Sequence, residues 1–144
     1  GRPFSAQRAD WADSRNTQHA TLLTPILALT RSPADLRSRI DARVDDMFRL
    51  GLVEETKQLL ARGLEQNRTA MQAIGYRQVV EHLRGVRPLP ETIALVKQRT
   101  RQFAKRQMTW FRHQLPTTWH AVDPSEAHEA VAERLTLLWL GSAP

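Results

Sequence analysis

The spacing of apolar positions changes several times along this chain, and each change marks an element. Thr21 to Thr30 (TLLTPILALT) is an apolar, β-branched run and predicts a buried strand. Pro25 lies inside it, which restricts such a strand to a sheet edge or a bend. A lone strand leaves its backbone groups unpaired, so this one predicts a sheet that the chain itself does not supply. Ser32-Pro33-Ala34-Asp35 then opens a helix: Ser32 can cap, Pro33 suits the first helical position, and Asp35 favours the positive helix end. Leu36, Ile40, Val44 and Met47 follow at steps of four, four and three, which gives one apolar stripe.

Gly51 breaks that helix, Leu52 to Ala61 carries a second helical pattern, and Gly63 reads as its C-cap. Leu64 to Arg68 is a polar connection. Thr69 to Arg84 reads as a turn around Gly75 and a short helix from Tyr76, ended by Gly85. Pro90-Glu91 opens the longest helix, which runs to Gln114 and is stopped by Pro116. Thr117 to Val122 predicts a short strand. Asp123-Pro124-Ser125-Glu126 predicts a capping box at the start of a last helix ending near Leu140.

Around the long helix, at about 100° per residue, Ile93, Val96, Phe103, Trp110 and Phe111 share one arc. That arc is expected to face a core, so Phe103 and Trp110 read as packing residues rather than base-stacking platforms. Arg101, Lys105 and Arg112 fall on one flank of the arc, Arg99 and Arg106 on the other.

Charge sharpens this picture. The chain has 21 Lys and Arg against 15 Asp and Glu, a net of +6. Between Thr92 and Val122 there is no acid and there are six bases: Lys97, Arg99, Arg101, Lys105, Arg106 and Arg112. The other 15 bases match the 15 acids, so the whole excess lies on this segment. A one-signed segment attracts a polyanion, nucleic acid being the commonest, and the plain alternative is a solvated helix face.

Two further groups could bind RNA or phosphate. In Met71 to Arg77, Gly75 permits backbone conformations closed to other residues, and Gln72 offers both donor and acceptor to a base edge. The simpler reading is a helix-entry turn. Arg39 and Arg43, four apart, could hold a phosphate or pair with Asp35, Asp41 or Asp46, and ion pairing is the simpler reading.

Composition excludes other classes. At 144 residues, 41% hydrophobic and 25% charged, the chain suffices for one domain with a modest core. With no Cys, disulfides and thiolate metal sites are ruled out, which fits a reducing cytoplasm. No apolar run approaches the ~18–20 residues of a membrane span. The five His show no ligand spacing. No GxxxxGK[ST] phosphate loop and no nucleophile elbow occurs. The chain starts at Gly1 without a signal pattern, which reads as a cut inside a longer sequence.

Four blocks together resemble one family. Gly1 to Ser5 (GRPFS), Arg39 to Glu55 (RIDARVDDMFRLGLVEE), Met71 to Gln78 (MQAIGYRQ) and Thr100 to Arg112 (TRQFAKRQMTWFR) are similar, in order and spacing, to blocks of tRNA dimethylallyltransferases. The resemblance implies transfer of a dimethylallyl group from its diphosphate to N6 of the adenosine next to the anticodon of certain tRNAs. It implies a mainly α chain: the C-terminal helices of a P-loop-type α/β transferase, with one N-terminal strand belonging to the missing core sheet. Residues 1–31 would end that core and 32–144 would form one compact helical region.

The resemblance also places roles. Arg43 matches an arginine contacting the diphosphate. Gln72, Ala73, Ile74, Gly75, Tyr76 and Arg77 match one tRNA-contacting segment. Thr100, Arg101, Gln102, Phe103, Ala104, Lys105, Arg106 and Gln107 match another. The phosphate loop, the general base and the Mg²⁺ ligands would lie upstream, so this piece is expected to be inactive alone and to need its N-terminal core. The implied partners are the tRNA anticodon arm and dimethylallyl diphosphate, in the cytoplasm and without a membrane. A stand-alone basic helical module that binds nucleic acid is the alternative.

Overall fold

The computed structural model describes residues 27–114 and 118–141. The strand Leu27–Thr30 (β1) leads into helix Pro33–Arg49 (α1). Ser32 caps α1 by accepting the Asp35 N–H at 3.2 Å, with Pro33 at the first position. Asp35 also takes Arg31 and Arg39, both at 3.0 Å, and these guanidinium groups hold its carboxyl below the usual range. Gly51, with φ of 108°, turns the chain into helix Leu52–Ala61 (α2). A left-handed backbone of this kind is open to glycine and strained for other residues.

Two short 3₁₀ turns, Leu64–Gln66 and Ala70–Gln72, lead to helix Tyr76–Leu83 (α3). Helix Leu89–Gln114 (α4) follows, then strand Thr118–Ala121 (β2) and helix His128–Gly141 (α5). Packing runs α1 on α4, α2 on α3 and α3 on α4. The core is small and rich in valine: Val44 of α1, Leu52 and Thr56 of α2, Leu64 of the first 3₁₀ turn, Val79 and Val80 of α3, and Thr92 and Val96 of α4 are buried. Thr56 enters that core because its hydroxyl donates to the Leu52 carbonyl at 2.7 Å.

Three expectations need correction. The N-terminal strand does find a partner within the chain. β1 pairs in parallel with β2, Leu27 opposite Thr118 and Thr30 opposite Ala121. The whole helical segment forms the long crossover that parallel strands require. The sheet therefore joins residues on both sides of position 31. Thr21 to Ile26, with Pro25, lie outside the described residues, as do Gly1 to Ser5, Pro116 and Thr117.

The last helix begins later than its capping pattern predicts. Asp123 accepts the Ser125 N–H at 2.8 Å, which makes a local turn. Glu126 is drawn to Arg134, which reaches both carboxylate oxygens at 3.1 Å, so it does not close a capping box.

The third correction concerns the apolar arc of α4. Val96 is buried, but Phe103, Trp110 and Phe111 are 45%, 56% and 39% exposed. Helix length explains it. α4 has 26 residues, roughly 39 Å, whereas α3 has 8, roughly 12 Å, so the stripe outruns the helix that covers its start.

Candidate nucleic-acid interface

α4 presents its bases in two groups. Lys97 Nζ lies 2.6 Å from Asp45, and Arg101 grips both Asp41 oxygens at 2.8 and 3.0 Å. Asp41 and Asp45 are four apart on α1, and Arg101 and Lys97 are four apart on α4 in the opposite sense. The two helices therefore run antiparallel, and the pairs lock one against the other. Arg101 is thus engaged by a carboxylate, unlike the open contact that an acid-free segment implies. The acids come from another element, which a scan along the helix does not reveal.

The second group is open. Arg99, Lys105, Arg106 and Arg112 have no carboxylate partner among the described residues. Two of them lie over aromatic rings: Arg106 over Phe103 at 6.0 Å and Arg112 over Trp119 of β2 at 5.9 Å. Such contacts steady a guanidinium without neutralising it. Trp110 and Phe111 meet edge to face, with centroids 5.0 Å apart. Around the open bases, Thr100 and Ala104 are half-buried, while Gln102 and Gln107 are exposed.

Lys105 and Arg112 also border a cleft of about 1020 Å³ between α1, α4, α5 and the end of β1. Arg37 of α1 borders it too and carries no carboxylate partner among the described residues. No carboxylate lines this cleft. Arg37 was not singled out by the sequence. The available signal was its place three residues before Ile40, on the same face of α1.

The second block forms the bend before α3. Gln72 and Ala73 are exposed, Ile74 is half-buried and Gly75 is buried with φ of 120°. The Tyr76 hydroxyl donates to Glu55 of α2 at 2.6 Å, and that hydrogen bond raises the phenol pKa. Arg77 is turned toward Glu81, 3.2 Å away, and not toward the bend. Among the described residues, no hydrogen bond or ion pair joins this block to the bases of α4.

Arg43 is exposed on α1 and has no carboxylate partner among the described residues, whereas Arg39 is taken by Asp35. It does not border the cleft. Among the described residues no group of three or more His, Asp or Glu side chains could hold a metal ion, and no helix is long and apolar enough to cross a membrane.

Fold and surface together define a basic, mainly helical unit mounted on parallel β strands. The sequence profile of IPP transferase matches residues 1–114. The chain belongs to that family. It is 48% identical over 96 residues to a tRNA dimethylallyltransferase of Lacticaseibacillus casei, which covers 67% of this chain and 31% of the relative. It is 38% identical over 136 residues to that of Geobacillus thermodenitrificans, covering 94% and 41%. The crystal structure of a tRNA isopentenylpyrophosphate transferase from Bacillus halodurans superposes with a TM-score of 0.72 at 30% identity, over 96% of this chain and 46% of that one. A tRNA delta(2)-isopentenylpyrophosphate transferase from Staphylococcus epidermidis gives 0.73 at 30% identity, over 82% and 38%. The chain thus spans between 31% and 41% of these two curated relatives.

Proposed function

We propose that this chain is the tRNA-holding part of an enzyme that transfers a dimethylallyl group from its diphosphate to N6 of the adenosine beside the anticodon. The observation that carries the reading is the open set of bases on α4, Arg99, Lys105, Arg106 and Arg112, on a helix with no acid after Glu91. Family membership supplies the chemistry that such a surface would serve.

In that reading the open bases hold phosphates of the anticodon arm and fix its register. The target adenine must leave its stack before N6 can react. The N6 lone pair attacks the allylic carbon, the carbon–oxygen bond breaks, and diphosphate departs with the bonding electrons. N6 then gives up a proton to a base that the family resemblance places outside this chain. Arg43, exposed and free of carboxylates, is the cation we assign to the departing diphosphate. The exposed Gln72 faces the RNA with its carboxamide. The Mg²⁺ ligands that the family resemblance implies would lie outside this chain; among the described residues no group of three or more His, Asp or Glu could hold the ion. The remainder of a longer chain would supply the donor pocket.

The test is binding of an anticodon stem-loop RNA over a range of salt concentrations. About four phosphate contacts predict a log–log slope near −3 for unpaired RNA, and Lys105→Ala with Arg112→Ala lowers its magnitude by roughly 1.4. An unchanged slope in the double variant would remove α4 from the interface.

A further inference from the structure

The bend between α2 and α3 is held at both ends and bare in its middle. At its start, Asn67 Oδ1 accepts the Ala70 N–H at 3.0 Å. At its end, the Gly75 N–H donates to Gln78 Oε1 at 2.8 Å, and the next residue, Tyr76, donates its hydroxyl to Glu55 on α2. Between these anchors Gln72 and Ala73 are exposed, and the Gln72 carboxamide has no hydrogen-bond partner among the described residues.

Gln78 is unusual for its place. It is 3% exposed, beside Val79 and Val80 in the core. Burying an amide is unfavourable unless its bonds are made, and an apolar side chain of similar volume would satisfy packing alone. What the amide adds is an acceptor for one N–H, that of the residue holding φ of 120°. Glu55 fixes the same point from another helix. Two side chains, 23 residues apart in the chain, therefore converge on Gly75 and Tyr76 and set where the bend leaves α3.

We infer that Glu55 and Gln78 are positioning residues, which hold the Ala70–Gly75 bend so that Gln72 meets the RNA with its carboxamide already oriented. The inference rests on the proposed contact between this bend and RNA. Neither residue touches RNA itself; both act through Gln72. Holding the bend before binding removes the cost of ordering it on contact.

Stem-loop affinity and urea unfolding of the 144-residue chain are measured for Gln72→Ala, Tyr76→Phe, the pair combined, Gln78→Met and Gln78→Glu. Gln72→Ala and Tyr76→Phe are each expected to weaken binding on the order of 5-fold. The combined variant is expected to be no weaker than Gln72→Ala alone, because the Tyr76 hydroxyl that the substitution removes is engaged by Glu55 and acts on RNA only through Gln72. Gln78→Met keeps the buried volume and loses affinity; Gln78→Glu keeps the acceptor and retains it. Losses that multiply in the combined variant, or full affinity in Gln78→Met, would overturn the positioning role. Full affinity in Gln72→Ala would overturn the RNA contact of the bend as well, a different result from the first. Unfolding midpoints identify any variant whose loss comes from a damaged fold. If Gln78→Met does not fold, the Gln72 and Tyr76 cycle alone decides the question.

Discussion

Single residues in this chain do work that their neighbours cannot take over, and Gly75 is the clearest case. An added Cβ would meet only Leu52 Cδ2, at 3.7 Å, an ordinary contact. Space is therefore not the constraint; the backbone at φ of 120° is. Gly75→Ala is expected to destabilise the fold by about 1–3 kcal/mol, read as a lower urea midpoint with an unchanged slope. Glu81 offers a second test. Arg87 at 2.9 Å, then Arg77 at 3.2 Å, hold its carboxyl below the usual 4.5. The folded chain thus binds this proton more weakly than the unfolded one. The stabilisation is complete above the ordinary carboxylate range and is lost as pH falls through the depressed folded value. Glu81→Gln should therefore lower stability at neutral pH and flatten its decline under acid. A variant that declines as steeply as the parent would show that Glu81 contributes nothing to the acid limb.

At the scale of elements, the pairing of α1 with α4 divides the bases into a carboxylate-paired group and an open group. Asp41 and Asp45 neutralise Arg101 and Lys97, and partly exposed pairs of this kind stabilise by only about 0.2–1 kcal/mol each. Their larger effect falls on the surface potential. Asp41→Asn releases Arg101 at a small cost in stability. It should tighten stem-loop binding and steepen the salt slope by roughly 0.7, one further phosphate contact. Unchanged affinity would mean that Arg101 points away from bound RNA even when free. The helices themselves were legible in the sequence, the start of α5 excepted. Ser32 and Pro33 start α1, Gly51 and Gly63 bracket α2, and Gly75 and Gly85 bracket α3, because caps and glycine turns are local signals. The partners of α4 were not. Arg101 meets Asp41 across 60 residues of sequence, and only antiparallel packing brings the two together. Likewise Tyr76 finds Glu55 across 21 residues.

For the whole molecule, the balance between buried and exposed apolar surface is the telling property. The apolar arc of α4 was correctly read as one stripe, but its burial depends on the lengths of other helices, which periodicity does not report. The buried core uses small side chains, while Phe103, Trp110 and Phe111 on α4 and Leu137, Trp139 and Leu140 on α5 remain exposed. Large aromatics outside a valine core contribute little to its packing, so their removal should leave the fold intact. Exposed apolar side chains of this kind favour contact with other surfaces. Trp110→Gln is accordingly expected to change unfolding free energy by no more than about 0.5 kcal/mol, because an exposed position has few contacts to lose. The same substitution should weaken concentration-dependent self-association in sedimentation velocity runs, since Trp110 is the most exposed of the α4 aromatics, at 56%. A large fall in stability would place Trp110 inside a packed core after all, and would reopen the aromatic arc of α4 as a structural rather than a surface feature.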